Sequence, residues 1–192
     1  DAGNDTINGG SGNDRYDADY SSASSGLTMT YDTATGSGTI TVGTETDTFT
    51  SIESFEGFNG TEYNDVIFGG TAGDYYSGGL KGGSGNDTIS GNAGDDRIYG
   101  EDGNDVLNGG ANNDQLYGGN GNDSLNGDTG DDYFTTDAGN DTINGGSGND
   151  RYDANYSNAS SGLTMTYDTA TGSGTITVGT ETDTFTSIES FE

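Results

Sequence analysis

The chain has 192 residues, of which 27% are hydrophobic and 37 are Gly, and its 33 acidic groups against four cations give a formal net charge of -29. Such a composition cannot bury enough apolar surface to offset chain entropy and self-repulsion, so the chain either stays unfolded or is stabilised by something outside the sequence. The absence of Cys excludes disulfide staples, and the absence of His removes the commonest general base and zinc ligand. A polyanion is not expected to bind nucleic acid unaided, and no apolar run is long enough for membrane insertion.

Two periods organise what remains. The long one is 136 residues: Asp1–Glu56 returns as Asp137–Glu192, differing only at Asp19 against Asn155 and Ser22 against Asn158. The chain therefore reads as a segment of a longer tandem array. In chain order, residues 1–17 read as the end of a preceding roll, one truncated and one whole copy of a nine-residue pattern. Residues 18–59 alternate apolar and polar in LTMTYD, TITV and DTFTSIESFEGF, punctuated by Gly36, Gly38 and Gly43. They predict three or four β-strands, a hairpin elaboration or irregular coils continuing the stack, with Phe49, Ile52, Phe55 and Phe58 bridging the apolar interior between rolls.

Residues 60–153 form the main roll. Two nonads, GTEYNDVIF and GGTAGDYYS, occupy 60–77, and a four-residue insertion at 78–81 follows. From Gly82 to Asp153 run eight consecutive nonads: GGSGNDTIS, GNAGDDRIY, GEDGNDVLN, GGANNDQLY, GGNGNDSLN, GDTGDDYFT, TDAGNDTIN and GGSGNDRYD. The sixth place is always Asp and the eighth always large and apolar or aromatic, from Ile89 to Tyr152. Residues 154–192 begin the next β-rich insert.

Each nonad has a physical reading. Its first six places are turn chemistry, in which Gly supplies positive φ and close approach while Asn and Asp tolerate the left-handed region. Its last three predict a short strand whose middle residue points inward. Two nonads make one flattened coil of 18 residues, so Asp87, Asp105, Asp123 and Asp141 stack on one side and Asp96, Asp114, Asp132 and Asp150 on the other. A Ca²⁺ between successive turns can take a carboxylate from each plus turn carbonyls, the all-oxygen shell this ion prefers. One apolar side chain per nine ordered residues does not offset their backbone entropy, so ion binding and folding are expected to be one transition.

Other readings of these residues are weaker. A merely solvated acidic face does not require Asp at every sixth place. An EF-hand needs flanking helices and a terminal Glu, and a glycosidase needs a carboxylate pair in distinct surroundings. The Thr-x-Thr runs (Thr28/Thr30, Thr39/Thr41, Thr46/Thr48/Thr50) suit an ice-binding array but are ordinary for exposed strands. Tyr99 and Tyr117, 18 apart at ninth places, suit stacking outside the roll as a carbohydrate platform.

GGSGNDTIS at Gly82–Ser90 resembles the GGxGxDxUx nonad of the RTX (repeats-in-toxin) family. The resemblance implies an all-β, calcium-binding parallel β-roll, a β-solenoid interrupted by a strand-rich segment. It implies metal ligands at Asp65, Asp74, Asp87, Asp96, Asp105, Asp114, Asp123, Asp132, Asp141 and Asp150, with Asp5 and Asp14 in the preceding roll. Asn112 and Tyr63 at fourth places and Thr136 at a first place depart from the pattern, so sites touching those turns are expected to be reshaped. Family members are typically exported unfolded by type I secretion and fold in extracellular calcium. The resemblance and the duplication together point to a non-enzymatic structural module of a large secreted bacterial protein, an adhesin stalk, surface layer or matrix fibre. Its expected partners are neighbouring repeats, other copies joined head to tail, and a carbohydrate or cell-surface ligand. The other reading is the folding and secretion module of an exoenzyme or toxin.

Overall fold

The computed structural model describes residues 3–154, 156 and 161–191. It is an all-β parallel solenoid, with no α-helix among the described residues. The strands are longer than the nonad pattern predicts. Thr88–Ala93, Arg97–Asp102, Val106–Ala111, Gln115–Asn120 and Ser124–Thr129 each hold six residues. Each runs from the seventh place of one nonad to the third place of the next, so only three residues make the turn. The backbone permits this by bending at the second place, where Asn92 (φ 71°), Glu101 (φ 79°) and Gly110 (φ 114°) take positive φ without leaving the ladder.

Successive nonads fall on opposite faces. Ile89 pairs with Leu107 and Leu107 with Leu125 in one parallel sheet. Ile98 pairs with Leu116 and Leu116 with Phe134 in the other. The eighth-place residues meet between the sheets, and Ile89, Ile98, Leu107, Leu116, Phe134, Ile143 and Tyr152 are all 0% exposed. This single file of side chains is the core.

The four-residue insertion is structural. Tyr76, the eighth-place residue before it, sits in a 3₁₀ turn at Tyr76–Gly78 and is 45% exposed. Leu80, inside the insertion, takes its place in the core at 0% exposure and pairs with Ile98 and Phe58. The insertion thus lengthens one coil and hands the inward position to a residue that the nonad count skips.

The strand-rich insert lies in line with one face. Leu27–Asp32, Ser37–Val42 and Glu45–Thr50 form an antiparallel meander. Its last strand pairs in parallel with Thr6–Asn8, and its first meets Val66–Phe68 in parallel at Thr28 and Val66. The sheet therefore passes from one roll through the meander into the next without a break, in the order of its twelve strands. On the opposite face Arg15–Tyr16 carries Ser54–Phe55. Phe55 meets Phe49, Phe58 and Tyr31 edge-on at 5.3, 6.1 and 5.6 Å between centroids. These rings fill the junction, where Phe49, Ile52, Phe55 and Phe58 are each at most 1% exposed.

Candidate metal sites

Each sixth-place aspartate of the main run ends its turn just before a strand and reaches back to the preceding coil. From Asp87 to Asp150 these eight residues are 0–2% exposed. The Asp87 amide donates to Asp105 Oδ1, Asp105 to Asp123 and Asp123 to Asp141, at 2.8–2.9 Å. The other side repeats this from Asp96 through Asp114 and Asp132 to Asp150. The first member of each column is held in the same way, Asp87 and Asp96 Oδ1 accepting the Asp65 and Asp74 amides, so one carboxylate oxygen of each of the eight is committed to the backbone.

The second oxygen is not. Oδ2 of Asp87, Asp96, Asp105, Asp114, Asp123, Asp132, Asp141 and Asp150 is buried with no hydrogen-bond partner. An unpaired buried acceptor is costly, and a row of eight is not a feature a protein retains without a partner for it. The first-place glycines border the same spaces. A Cβ at Gly100 would lie 2.3 Å from Asp105 Oδ2 and 2.5 Å from the Gly118 carbonyl oxygen. At Gly91 the corresponding distances to Asp96 Oδ2 and Gly109 O are 2.3 and 2.7 Å. These glycines lack positive φ, so they are there for space, and the space is lined by oxygen.

Electrostatics agree with the geometry. Burial pushes the carboxyls up, to about 6 at Asp105 and Asp132, about 7 at Asp87 and Asp141, about 8 at Asp114 and about 9 at Asp96. Asp123 and Asp150 are raised for the same reason. At Asp87 the charges of Asp105 and Asp65 add to the effect, and the amide hydrogen bond from Asp65 opposes it. A cation among these groups would reverse the balance and hold them ionised. Among the described residues no three acidic side chains converge on one point, so main-chain oxygens must complete any ion's shell. Hard oxygen donors of this kind fit Ca²⁺.

The remaining predicted ligands differ. Asp65 Oδ1 accepts the Leu27 amide at 2.7 Å and Thr61 Oγ1 at 2.8 Å, while Oδ2 accepts the Thr61 amide at 2.6 Å. Asp74 accepts the Phe55 amide on Oδ1 and the Gly70 amide on Oδ2. Both carboxylates are satisfied by protein, so they bind the strand-rich insert to the roll, Asp65 through the meander and Asp74 through Ser54–Phe55. Their nonads have Tyr63 and Ala72 at the fourth place, neither with the positive φ found at Gly103 (146°) or Asn112 (85°), and the turn closes on its own aspartate. Asn112 keeps the left-handed turn, so that departure leaves Asp114 with the same free Oδ2 as its neighbours. Asp5 is exposed and Asp14 half-buried, at the edge of the stack.

Three features escape the nonad pattern. Asp47 and Asp183 lie in the meander, yet they accept the amides of Asp5 and Asp141 as a sixth-place aspartate would. Glu53 and Glu189 do the same for Asp14 and Asp150. At Asp183 the remaining oxygen accepts the hydroxyls of Tyr152 and Tyr156, so phenols stand where the other carboxylates face empty space. A second ladder runs the opposite way at the fifth place: the Asn104 amide donates to Asn86 Oδ1, Asn122 to Asn104 and Asn140 to Asn122, each at 2.8–2.9 Å. The recurring fifth-place Asn or Asp was its visible signal. Outside the roll, Tyr99 and Tyr117 stack at 4.5 Å with their planes 13° apart.

The sequence profile of the RTX calcium-binding nonapeptide repeat matches four copies in the chain, at residues 1–19, 58–80, 81–116 and 117–152, more than half of its length. The chain belongs to this family. Its tandem RTX repeats make it a calcium-binding structural module built as a β-solenoid. A search of the curated proteins finds no match. The RTX nonads cover the rows of buried aspartates, while the meander at Leu27–Thr50 lies outside every matched segment.

Proposed function

We propose that the chain is a load-bearing repeat unit of a large exported bacterial protein, an adhesin stalk, surface layer or matrix fibre, whose coils order when calcium enters the spaces between them. The observation that carries this reading is the row of eight buried, unpartnered Oδ2 atoms. Asp87, Asp96, Asp105, Asp114, Asp123, Asp132, Asp141 and Asp150 supply the carboxylate ligands, and turn carbonyls supply the rest. Asp65 and Asp74 act as fasteners at the junction, and Asp5 and Asp14 belong to the same ligand series in the preceding roll. When bound, calcium contributes the positive charge that this stack of carboxylates lacks.

Export before folding suits such a chain. Without the ion it is a flexible polyanion, and extracellular calcium supplies the missing stabilisation on arrival. The role as a building block is favoured over a secretion tail by the 136-residue duplication, together with a sheet that runs through the meander into the following roll. The stacked Tyr99–Tyr117 pair offers a flat aromatic surface suited to a sugar ring.

Circular dichroism in calcium and in excess EGTA tests the central claim. A β-rich spectrum is expected only with calcium at neutral pH. A spectrum that stays β-rich in EGTA at that pH overturns the reading.

A further inference from the structure

In the main run the first place of every nonad is Gly except at Thr136. A Cβ at any of the seven glycines, from Gly82 to Gly145, would lie 2.1–2.6 Å from Oδ2 of the aspartate five places on. Those glycines keep the oxygen-lined gaps open. Thr136 puts a side chain at the equivalent point of the Asp141 nonad, and it is 3% exposed. Its hydroxyl also acts on the Asp141 carboxyl, opposing the upward shift that burial gives it.

The coil that follows Asp141 is that of Asp183, since Thr142–Asn144 pairs in parallel with Thr184–Thr186. Asp183 is 3% exposed, and its Oδ1 accepts the Asp141 amide as the next aspartate of the column would. Its Oδ2 accepts the hydroxyl of Tyr152 at 2.8 Å and that of Tyr156. The Tyr152 oxygen lies 2.7 Å from Thr136 Oγ1. Because the Tyr152 proton goes to Asp183, the Thr136 hydroxyl donates to Tyr152. Tyr152 occupies an eighth place, where the other seven nonads of the run have Ile, Leu or Phe and no hydroxyl. Thr136, Tyr152 and Tyr156 thus fill, with three hydroxyls, the gap between two carboxylates.

The arrangement recurs one period earlier, where Asp47 Oδ2 accepts the Tyr20 hydroxyl at 2.8 Å and Tyr16 stands 3.4 Å from Tyr20, oxygen to oxygen. In both copies the next strand of the sheet is antiparallel, Ser173–Val178 against Glu181–Thr186 and Ser37–Val42 against Glu45–Thr50. The other edge of the roll differs. There Glu189 accepts the Asp150 amide, Gly145 keeps the first place, and Asp150 Oδ2 has no partner.

We infer that the gap between Asp141 and Asp183 is closed to calcium by the hydroxyls of Thr136, Tyr152 and Tyr156, so that the ion column on this edge stops at the Asp141 coil and the roll joins its meander without metal. Asp141 serves only the ion between its own coil and that of Asp123. The opposite edge stays open as far as Asp150, so the two columns of one roll end at different protein groups. The inference rests on the calcium binding proposed above.

Calcium stoichiometry of the full chain, measured by isothermal titration calorimetry with circular dichroism on the same samples, is the test. Asp183→Asn is expected to bind as many ions as the wild type. The triple variant Thr136→Gly, Tyr152→Phe, Tyr156→Phe is expected to bind one ion more, because it restores the glycine and frees Asp183 Oδ2. Loss of one ion in Asp183→Asn overturns the inference, since the gap would then already hold calcium. A triple variant with a native spectrum and the wild-type count also overturns it. Should the triple variant not fold, the Asp183→Asn count decides alone. A wild-type chain that binds no calcium overturns the folding reading itself, and this inference with it.

Discussion

The Asp105 amide donates to Asp123 Oδ1 at 2.9 Å, leaving Asp123 Oδ2 buried without a partner. One side chain thus has two roles: one oxygen holds the coil before it, and the other is left for the proposed cation. The two can be separated by substitution.

Asp105→Asn keeps an oxygen for the Asp87 amide but removes the charge. It is expected to lower calcium affinity and stoichiometry while making the calcium-free roll easier to form. Asp105→Ala also leaves the Asp87 amide unpaired, at a further cost of about 1–3 kcal/mol. Isothermal titration calorimetry gives the first effect and urea unfolding in saturating calcium the second. Equal stoichiometry in wild type and both variants would remove Asp105 from the ligand set.

Acid should substitute for calcium in part. The folded-state carboxyls at Asp87, Asp96, Asp114 and Asp141 titrate at about 7, 9, 8 and 7, above the ordinary 3.8. A raised carboxyl means that the folded chain binds more protons than the unfolded one. Its contribution is therefore fully present below about pH 4 and is lost as pH rises through about 7 to 9. In EGTA the chain is expected to gain β-structure at about pH 5 and to lose it at about pH 8, where calcium restores it. Circular dichroism across that range checks the sign. A calcium-free roll that becomes less ordered on acidification contradicts it.

Gly100→Ala puts a methyl group 2.3 Å from Asp105 Oδ2. Gly100 does not have positive φ, so the conflict is spatial and falls on the oxygen-lined gap. Overpacking of this kind costs about 1–3 kcal/mol, and the calcium stoichiometry should fall with it. Scanning calorimetry and titration on the same variant report both. A Tm and a stoichiometry that both match wild type would show that the gap has room to spare.

Leu107→Ala and Val106→Ala separate the core from its outer face. Leu107 is 0% exposed and Val106 41% exposed. The first should cost about 2–5 kcal/mol and the second no more than about 0.5 kcal/mol, in calcium. Urea unfolding measures both.

The coil was legible in the sequence because its two periodic signals are independent of tertiary context. An apolar residue at every eighth place and Asp at every sixth fix the pairing of Ile89 with Leu107 and of Ile98 with Leu116. Strand length was not legible, because Gly and Asn at first and second places read as turn while the backbone carries the ladder through them. Leu80 was hidden because it lies in an insertion that breaks the count. Asp47 and Asp183 were hidden because only the meander's fold brings them within reach of Asp5 and Asp141, 42 residues away in sequence. The separation of Asp65 and Asp74 from the other eight follows the local turn: Tyr63 at the fourth place marked the first of these turns in the sequence, while Ala72 in the second gave no such warning.

Among the described residues the coils of the main run pair with their immediate neighbours, and their strands lie across the direction of stacking. Tension applied along that direction loads the contacts between coils in series. The first to yield should be those at one end, and release should proceed one coil at a time. Each 18-residue coil would pay out a contour of roughly 60 Å. On the proposed reading calcium between coils would set the threshold, and a chain of such units would behave as an extensible tether whose stiffness follows the ion concentration around it. Force spectroscopy at two calcium concentrations would show a sawtooth with the same spacing and different heights.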